Sequence, residues 1–221
     1  MVTKKTLKRC LLYVVGLTLL GLCVTLMQKT HLGMSSWDAL NRNFYEGIPL
    51  DYKYLTPMFA LVMISLAYVI ERRRPDRYML VPLVISFYIG FVIDSLLLVI
   101  PYVGDQSWVI NILYLILAMI VCAVGLNFIV YCQYPLPALD ELCYGIGVLL
   151  KSTYGKGKLV GEFIALGLAI ISGILFGHYS VYFYIGPTTL IFALGIGKLI
   201  DLFHKPIIRF LEGFHAYRSV R

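Results

Sequence analysis

Residues 33–40 read Gly-Met-Ser-Ser-Trp-Asp-Ala-Leu, and residues 135–142 read Pro-Leu-Pro-Ala-Leu-Asp-Glu-Leu. Each stretch follows a long apolar segment and precedes two more. The third apolar segment of each half carries a glycine four residues before an aspartate, Gly90 with Asp94 and Gly197 with Asp201. The chain reads as two copies of a three-helix unit. A unit with an odd number of membrane crossings must be inverted in its second copy, and inverted repeats are a common construction plan of membrane transporters.

Composition supports a membrane setting. Of the 221 residues 60% are hydrophobic and 14% charged, with a mean hydropathy of +0.82. Soluble domains carry about 25% charged residues. Too little polar surface remains for solubility, so the lipid bilayer is the expected partner. The formal net charge of +7 does not point to nucleic acid, because the basic residues sit at the ends of apolar runs. The first apolar run lacks a small-residue cleavage site and is expected to be retained as a helix. The five cysteines, Cys10, Cys23, Cys122, Cys132 and Cys143, show no paired spacing. Neither a disulfide framework nor a zinc site is expected, and no cofactor.

Crossing about 30 Å of hydrocarbon takes about 20 apolar residues. Six runs qualify, near 10–28, 54–70, 78–100, 108–131, 158–177 and 185–204. The expected fold is an all-α membrane protein of six transmembrane helices in two inverted repeats, residues 10–103 and 104–205. A tail of residues 1–9 precedes them and a basic tail of residues 206–221 follows. With both termini cytoplasmic, the inner segments hold fifteen of the nineteen Lys and Arg residues, among them Arg72, Arg73, Arg74, Lys151, Lys156 and Lys158. The outer side holds Lys29, Arg42 and Lys53. That bias predicts a multi-pass protein of the cytoplasmic membrane with both ends inside. It also puts Asp38 outside and Asp140 inside, as inversion requires.

The links between runs one and two and between runs four and five are too long for simple hairpins. In the first, Ser35 and Ser36 are good N-cap residues, and Asp38 falls in the following turn. In the second, Pro135 and Pro137 stop one helix, and Pro137 suits the start of another, with Asp140 and Glu141 just inside. Both links read as short helices at the interface or dipping back into the membrane. Such segments can line a solute path; equally, Asp38 and Asp140 can simply stabilise helix starts. Trp37 fits an aromatic-belt anchor better than a substrate contact.

Charges within membrane spans usually face the bundle interior. Asp94 lies roughly 9 Å from the outer end of run three at 1.5 Å per residue, and Asp201 lies near the inner end of run six. Asp38 with Asp94 outside, and Asp140 with Asp201 inside, fit two gates or two structural hydrogen-bonding clusters. Glu162 is a first-turn helix acid if run five begins at 158; if the helix starts earlier, it is a buried carboxylate and a proton or cation site. Gln28 and Gln133 end the first run of each half at matching places, and Asn127 is placed to bond across helices. His178 is expected in an outer turn, solvated. The pathway candidates are therefore Asp38, Asp94, Asp140, Glu162, Asp201, Trp37, Gln28 and Gln133. Gly16, Gly21, Gly161, Gly167, Gly173, Gly186, Gly195 and Gly197 permit close helix contact.

There is no Walker motif, dinucleotide fingerprint, HExxH or CxxC pair, and an enzyme is not expected. The stretch Leu32-Gly33-Met34-Ser35-Ser36-Trp37-Asp38 is similar to the Gly-x-x-Pro-Trp-Asp motif of bacterial YczE/YyaS-type membrane proteins, related to the membrane part of the YitT proteins. Residues 136–140, the Glu162 region and Gly186-Pro187-Thr188-Thr189-Leu190 also resemble that pattern, so the likeness covers about residues 8–205. Ser36 stands where the family often has proline, and Asn41–Asp51 is more polar. The resemblance implies a bacterial cytoplasmic-membrane protein with a role in transport and names no substrate. The leading expectation is a secondary transporter or permease for a small solute. The alternatives are a non-transporting scaffold or accessory protein and, less favoured, an intramembrane enzyme using its carboxylates. A homodimer is compatible with so small a bundle.

Overall fold

The computed structural model describes residues 4–48, 52–74, 77–176 and 185–212. Among these, eight α-helices follow one another: α1 Lys4–Gln28, α2 Ser36–Gly47, α3 Tyr52–Ile70, α4 Val81–Val99, α5 Trp108–Cys132, α6 Ala138–Leu149, α7 Tyr154–Leu175 and α8 Pro187–Glu212. His178 lies outside the described residues.

The two long links contain short helices, α2 and α6. Ser35 caps α2, its hydroxyl accepting from the Asp38 N–H. Pro137 stands at the N-cap of α6, where its missing N–H costs nothing. Gln133 ends α5 in a left-handed conformation, φ 57°. Thr153 caps α7 by accepting from the Lys156 N–H, so this helix begins four residues earlier than the hydropathy run.

Among the described residues four helices are long and apolar enough to cross a membrane: Thr6–Gln28, Val81–Val99, Trp108–Cys132 and Tyr154–Leu175. The apolar part of α3, Pro57–Ile70, is shorter. Large apolar side chains cover the outer faces, Phe87, Phe91, Leu98, Ile174 and Leu175 among them, each more than half exposed. Water does not tolerate so continuous an apolar surface, whereas hydrocarbon does. The protein is an all-helical membrane protein by these features.

At the centre α1 runs antiparallel to α5. Cys132 Sγ donates to the Arg9 carbonyl at one end, and the His31 N–H donates to Asn111 Oδ1 at the other. The helices approach at glycines: a Cβ on Gly16 would stand 2.9 Å from the Gly125 carbonyl oxygen. On the flanks α4 packs against α1 and α8 against α5. Asn127 joins the latter pair, donating to the Ile200 carbonyl while its own Oδ1 meets His204 Nδ1 at 2.8 Å. The remaining helices cross between the halves. The short α2 lies on α7, and α3 lies on α6; α6 and α7 touch, and α7 touches α8.

The core divides accordingly. Leu17, Leu20, Leu115, Leu126, Ile129 and Ile196 fill the space between α1, α5 and α8. Trp37, Leu40, Ile64, Tyr68, Leu142 and Ala165 fill that between α2, α3, α6 and α7. Trp37 is 4% exposed and belongs to this second core, which corrects its reading as a belt anchor. The segment before α2 turned out to reach back onto the start of α8. Gly33, at φ 103°, lets it pass the Gly186 backbone, and the Thr188 N–H donates to the Leu32 carbonyl.

Candidate functional site

The starts of α2 and α6 converge on α7, and a group of ionisable side chains lies between them. Glycine sets the depth of α7 against α6. A Cβ on Gly157 would lie 2.2 Å from the Cys143 carbonyl oxygen, and one on Gly161 would lie 2.5 Å from Cys143 Sγ. With the backbones this close, Lys158 is turned inward and is only 6% exposed. Its ammonium lies 2.8 Å from Asp140 Oδ1 and 3.3 Å from Glu162 Oε1, one helical turn onward. Asp140 is 7% exposed and Glu162 1%. The Tyr154 hydroxyl donates to the same Asp140 oxygen at 3.0 Å.

Asp38 reaches the group from α2. Its Oδ2 accepts from the Ser35 hydroxyl at 2.6 Å, and its charge faces Lys158. Ser36, fully buried, stands beside Glu162. Ser36 Oγ and Glu162 Oε2 make no hydrogen bond of good geometry to any other described group, and the two face each other. Two carboxyl groups thus flank one ammonium, and a third, Asp38, lies within electrostatic reach of it. Desolvating such charges costs several kcal/mol per ion unless each is well paired, on the order of a whole domain's margin of stability.

Asp201 belongs to the frame of this group. Its Oδ2 accepts from Thr153 Oγ1 at 2.7 Å and its Oδ1 from the Gly155 N–H at 3.3 Å, so it ties the start of α7 to α8. Gly155 and Gly197 make that crossing possible, a Cβ on either lying 2.2 Å from the other's carbonyl oxygen. Asp201 therefore holds Tyr154 in place and does not join Asp140 directly.

A second polar group links the halves at the start of α6. Glu141 Oε2 accepts from the Leu136 N–H at 3.1 Å, and its Oε1 accepts from Arg73 Nη1 at 3.1 Å. Arg73 also meets Glu71 Oε2 at 3.2 Å and lies over the Tyr68 ring, 4.6 Å from its centre. Burial pushes the Glu141 carboxyl above its usual range, while the Leu136 N–H and Arg73 pull it back.

The candidates taken from sequence sort clearly. Asp38, Asp140 and Glu162 are brought together, and Asp201 supports them. Asp94 is exposed on α4, Gln133 is exposed at the left-handed end of α5, and Gln28 ends α1 half-buried. None of these three provides a bond to the group around Lys158. Sequence reasoning missed Lys158, which had been counted among solvated cytoplasmic cations, and with it Tyr154, Ser36 and Arg73. The signal for Lys158 was its i,i+4 spacing to Glu162 within an apolar helix.

A family model described as a family of unknown function (DUF6198) matches residues 7–205. No curated protein matches the chain. No solved structure matches it either.

Proposed function

We propose, on the premise that the chain belongs to the DUF6198 family, that it is a secondary transporter for a small solute in the cytoplasmic membrane. It crosses the membrane six times with both termini inside, and its two three-helix repeats are inverted. The resemblance to YczE/YyaS-type proteins and the distribution of Lys and Arg support this setting.

The packing supports the repeat. Exchanging α1 with α5, α2 with α6, α3 with α7 and α4 with α8 carries the principal helix contacts onto one another. The pair α2–α7 becomes α6–α3, α1–α4 becomes α5–α8, α2–α3 becomes α6–α7, and α1–α5 returns itself. Each short helix leans on the middle span of the opposite half.

The observation that carries the reading is the buried charge cluster at the meeting of both short helices with α7. Intramembrane charge is expensive and is retained where it has work to do. Here it lies where two repeats meet, the usual place for a transported solute. In the structure the cluster is closed, its three best-buried charges exposed by no more than 7%. The Arg73–Glu141 pair bridges the first half to the second and closes the cytoplasmic side; its opening would admit water toward Asp140.

Alternating access has a test that needs no known substrate. The five native cysteines are replaced, and single cysteines are set at Ser36 or Ala138 in membrane vesicles of each orientation. A membrane-impermeant maleimide is expected to label at least one of these positions from both sides. Labelling from one side only, with the protein folded, refutes transport and favours the scaffold. Proteoliposome uptake across a panel of labelled metabolites then identifies the solute, and Asp140→Asn is expected to abolish it.

A further inference from the structure

The charges in the cluster do not balance. Asp38 comes from α2, Asp140 from α6 and Glu162 from α7, against Lys158 alone. The other titratable groups facing them are Tyr154 and Cys143, with Cys23 of α1 and Cys122 of α5 behind. All four are neutral in their ordinary protonation state and supply no positive charge. Arg73, the nearest structural use of a cation by this face of α6, is engaged with Glu141 and Glu71.

Asp38 is partly exposed, so the buried set of Asp140, Glu162 and Lys158 lacks one positive charge, and geometry singles out where it goes. Asp140 Oδ1 already accepts from both Lys158 and Tyr154, and Asp38 accepts from Ser35. Glu162 is different. Only its Oε1 meets Lys158, and at 3.3 Å, whereas Oε2 is buried without a partner. Beside it stands Ser36, fully buried, its hydroxyl within reach of the Glu162 carboxyl group. An unpaired buried carboxylate oxygen costs more than a neutral acid there. The Ser36 hydroxyl can donate to Glu162 when it is ionised and accept from it when it is protonated, so the pair serves both states of a reversible proton site. Among the described residues no group of three His, Cys, Asp or Glu side chains is arranged to hold a metal ion.

We infer that Glu162 is the proton-binding site of this protein, with Lys158 as a built-in counter-ion shared between Asp140 and Glu162. This rests on the transporter reading for its use, as the coupling step of the same site. Binding forms one O–H bond, from Glu162 carboxylate and a solvent proton, and leaves Lys158 paired with Asp140. Release returns the proton to solvent and gives Lys158 two anionic partners. The site opens to one side in the protonated form and to the other in the ionised form, so a proton gradient drives the exchange.

Infrared difference spectroscopy of the purified full-length protein in lipid nanodiscs, titrated with acid and base, reads the proton directly. Wild type is expected to show the carbonyl stretch of a buried carboxylic acid, vanishing at alkaline pH. Glu162→Asp is expected to shift that band, and Glu162→Gln to remove it. Ser36→Ala is expected to raise its frequency through loss of the acceptor. Asp140→Asn leaves Lys158 to Glu162 alone and is expected to move the midpoint to lower pH, while Asp94→Asn leaves the band unchanged. The proposal is overturned if wild type shows no such band at any pH, a result that needs no variant to fold. It is equally overturned if the band survives Glu162→Gln unaltered. Maleimide labelling separates the two readings: two-sided labelling without the band removes proton coupling and keeps transport, whereas the band with one-sided labelling keeps the proton site and removes transport.

Discussion

Lys158 of α7 ties α6 to α7, its ammonium paired with Asp140 of the one and Glu162 of the other. It was misread from sequence because the positive-inside rule counts every Lys near a span end as a cytoplasmic charge, and glycines beside it say nothing by themselves of which way it turns. The same glycines allow α6 and α7 to touch, and the contact turns the lysine inward. The carboxylates were legible as pathway candidates, but their partner was not, because partnership depends on a tertiary contact. Lys158→Met leaves Asp140 and Glu162 buried without a cation. Breaking a buried pair in this way costs about 3–5 kcal/mol. The melting temperature in detergent is expected to fall sharply, and acidic buffer is expected to restore part of it by protonating the orphaned carboxylates. The triple variant Lys158→Met, Asp140→Asn, Glu162→Gln is expected to be closer to wild type than Lys158→Met alone; an equal or greater loss would mean that the pairing is not what Lys158 contributes.

At the level of helices, α7 is held on two sides by backbone contact. Gly157 meets α6 and Gly155 meets α8, and neither neighbour is a flexible side-chain end that can move aside. Gly157→Ala therefore forces the helices apart, at a cost on the order of 1–3 kcal/mol, and is expected to disturb the Lys158–Asp140 distance. Gly167→Ala, in the same helix, meets nothing within 4 Å and is expected to gain up to about 1 kcal/mol from helix propensity. Thermal denaturation of the pair checks that contact, and not glycine content, sets the difference. Asp201→Ala frees Thr153 and the Gly155 N–H at the start of α7, an effect of about 1 kcal/mol by analogy with lost helix caps. The short helices α2 and α6 were readable from Ser35, Pro137 and the aspartates that follow. The true start of α7 was not, since Thr153 announces it only through a hydroxyl geometry that hydropathy ignores.

For the molecule as a whole, charge distribution makes a firm topological forecast. A reporter fused at Arg73 or Lys151 is expected to score as cytoplasmic, and one at Asp105 as periplasmic; a periplasmic signal at Arg73 removes the inverted arrangement altogether. The recurrence itself was legible, two short motifs and two Gly-x-x-x-Asp elements returning in order. The way the halves clasp was not, because nothing in either copy says which partner α2 and α3 will choose. That choice has a consequence for biosynthesis. Asn43 of α2 donates to the Ala169 carbonyl of α7, and α3 rests on α6. When the first half leaves the translocon, α2 and α3 have no seat to occupy. A chain ending at residue 103 is expected to be degraded in vivo and to accumulate when residues 104–221 are supplied as a separate polypeptide. Insertion of the early helices thus precedes their packing by half the length of the chain, and the membrane must shelter an unfinished polar seam until ribosomal synthesis has passed α7.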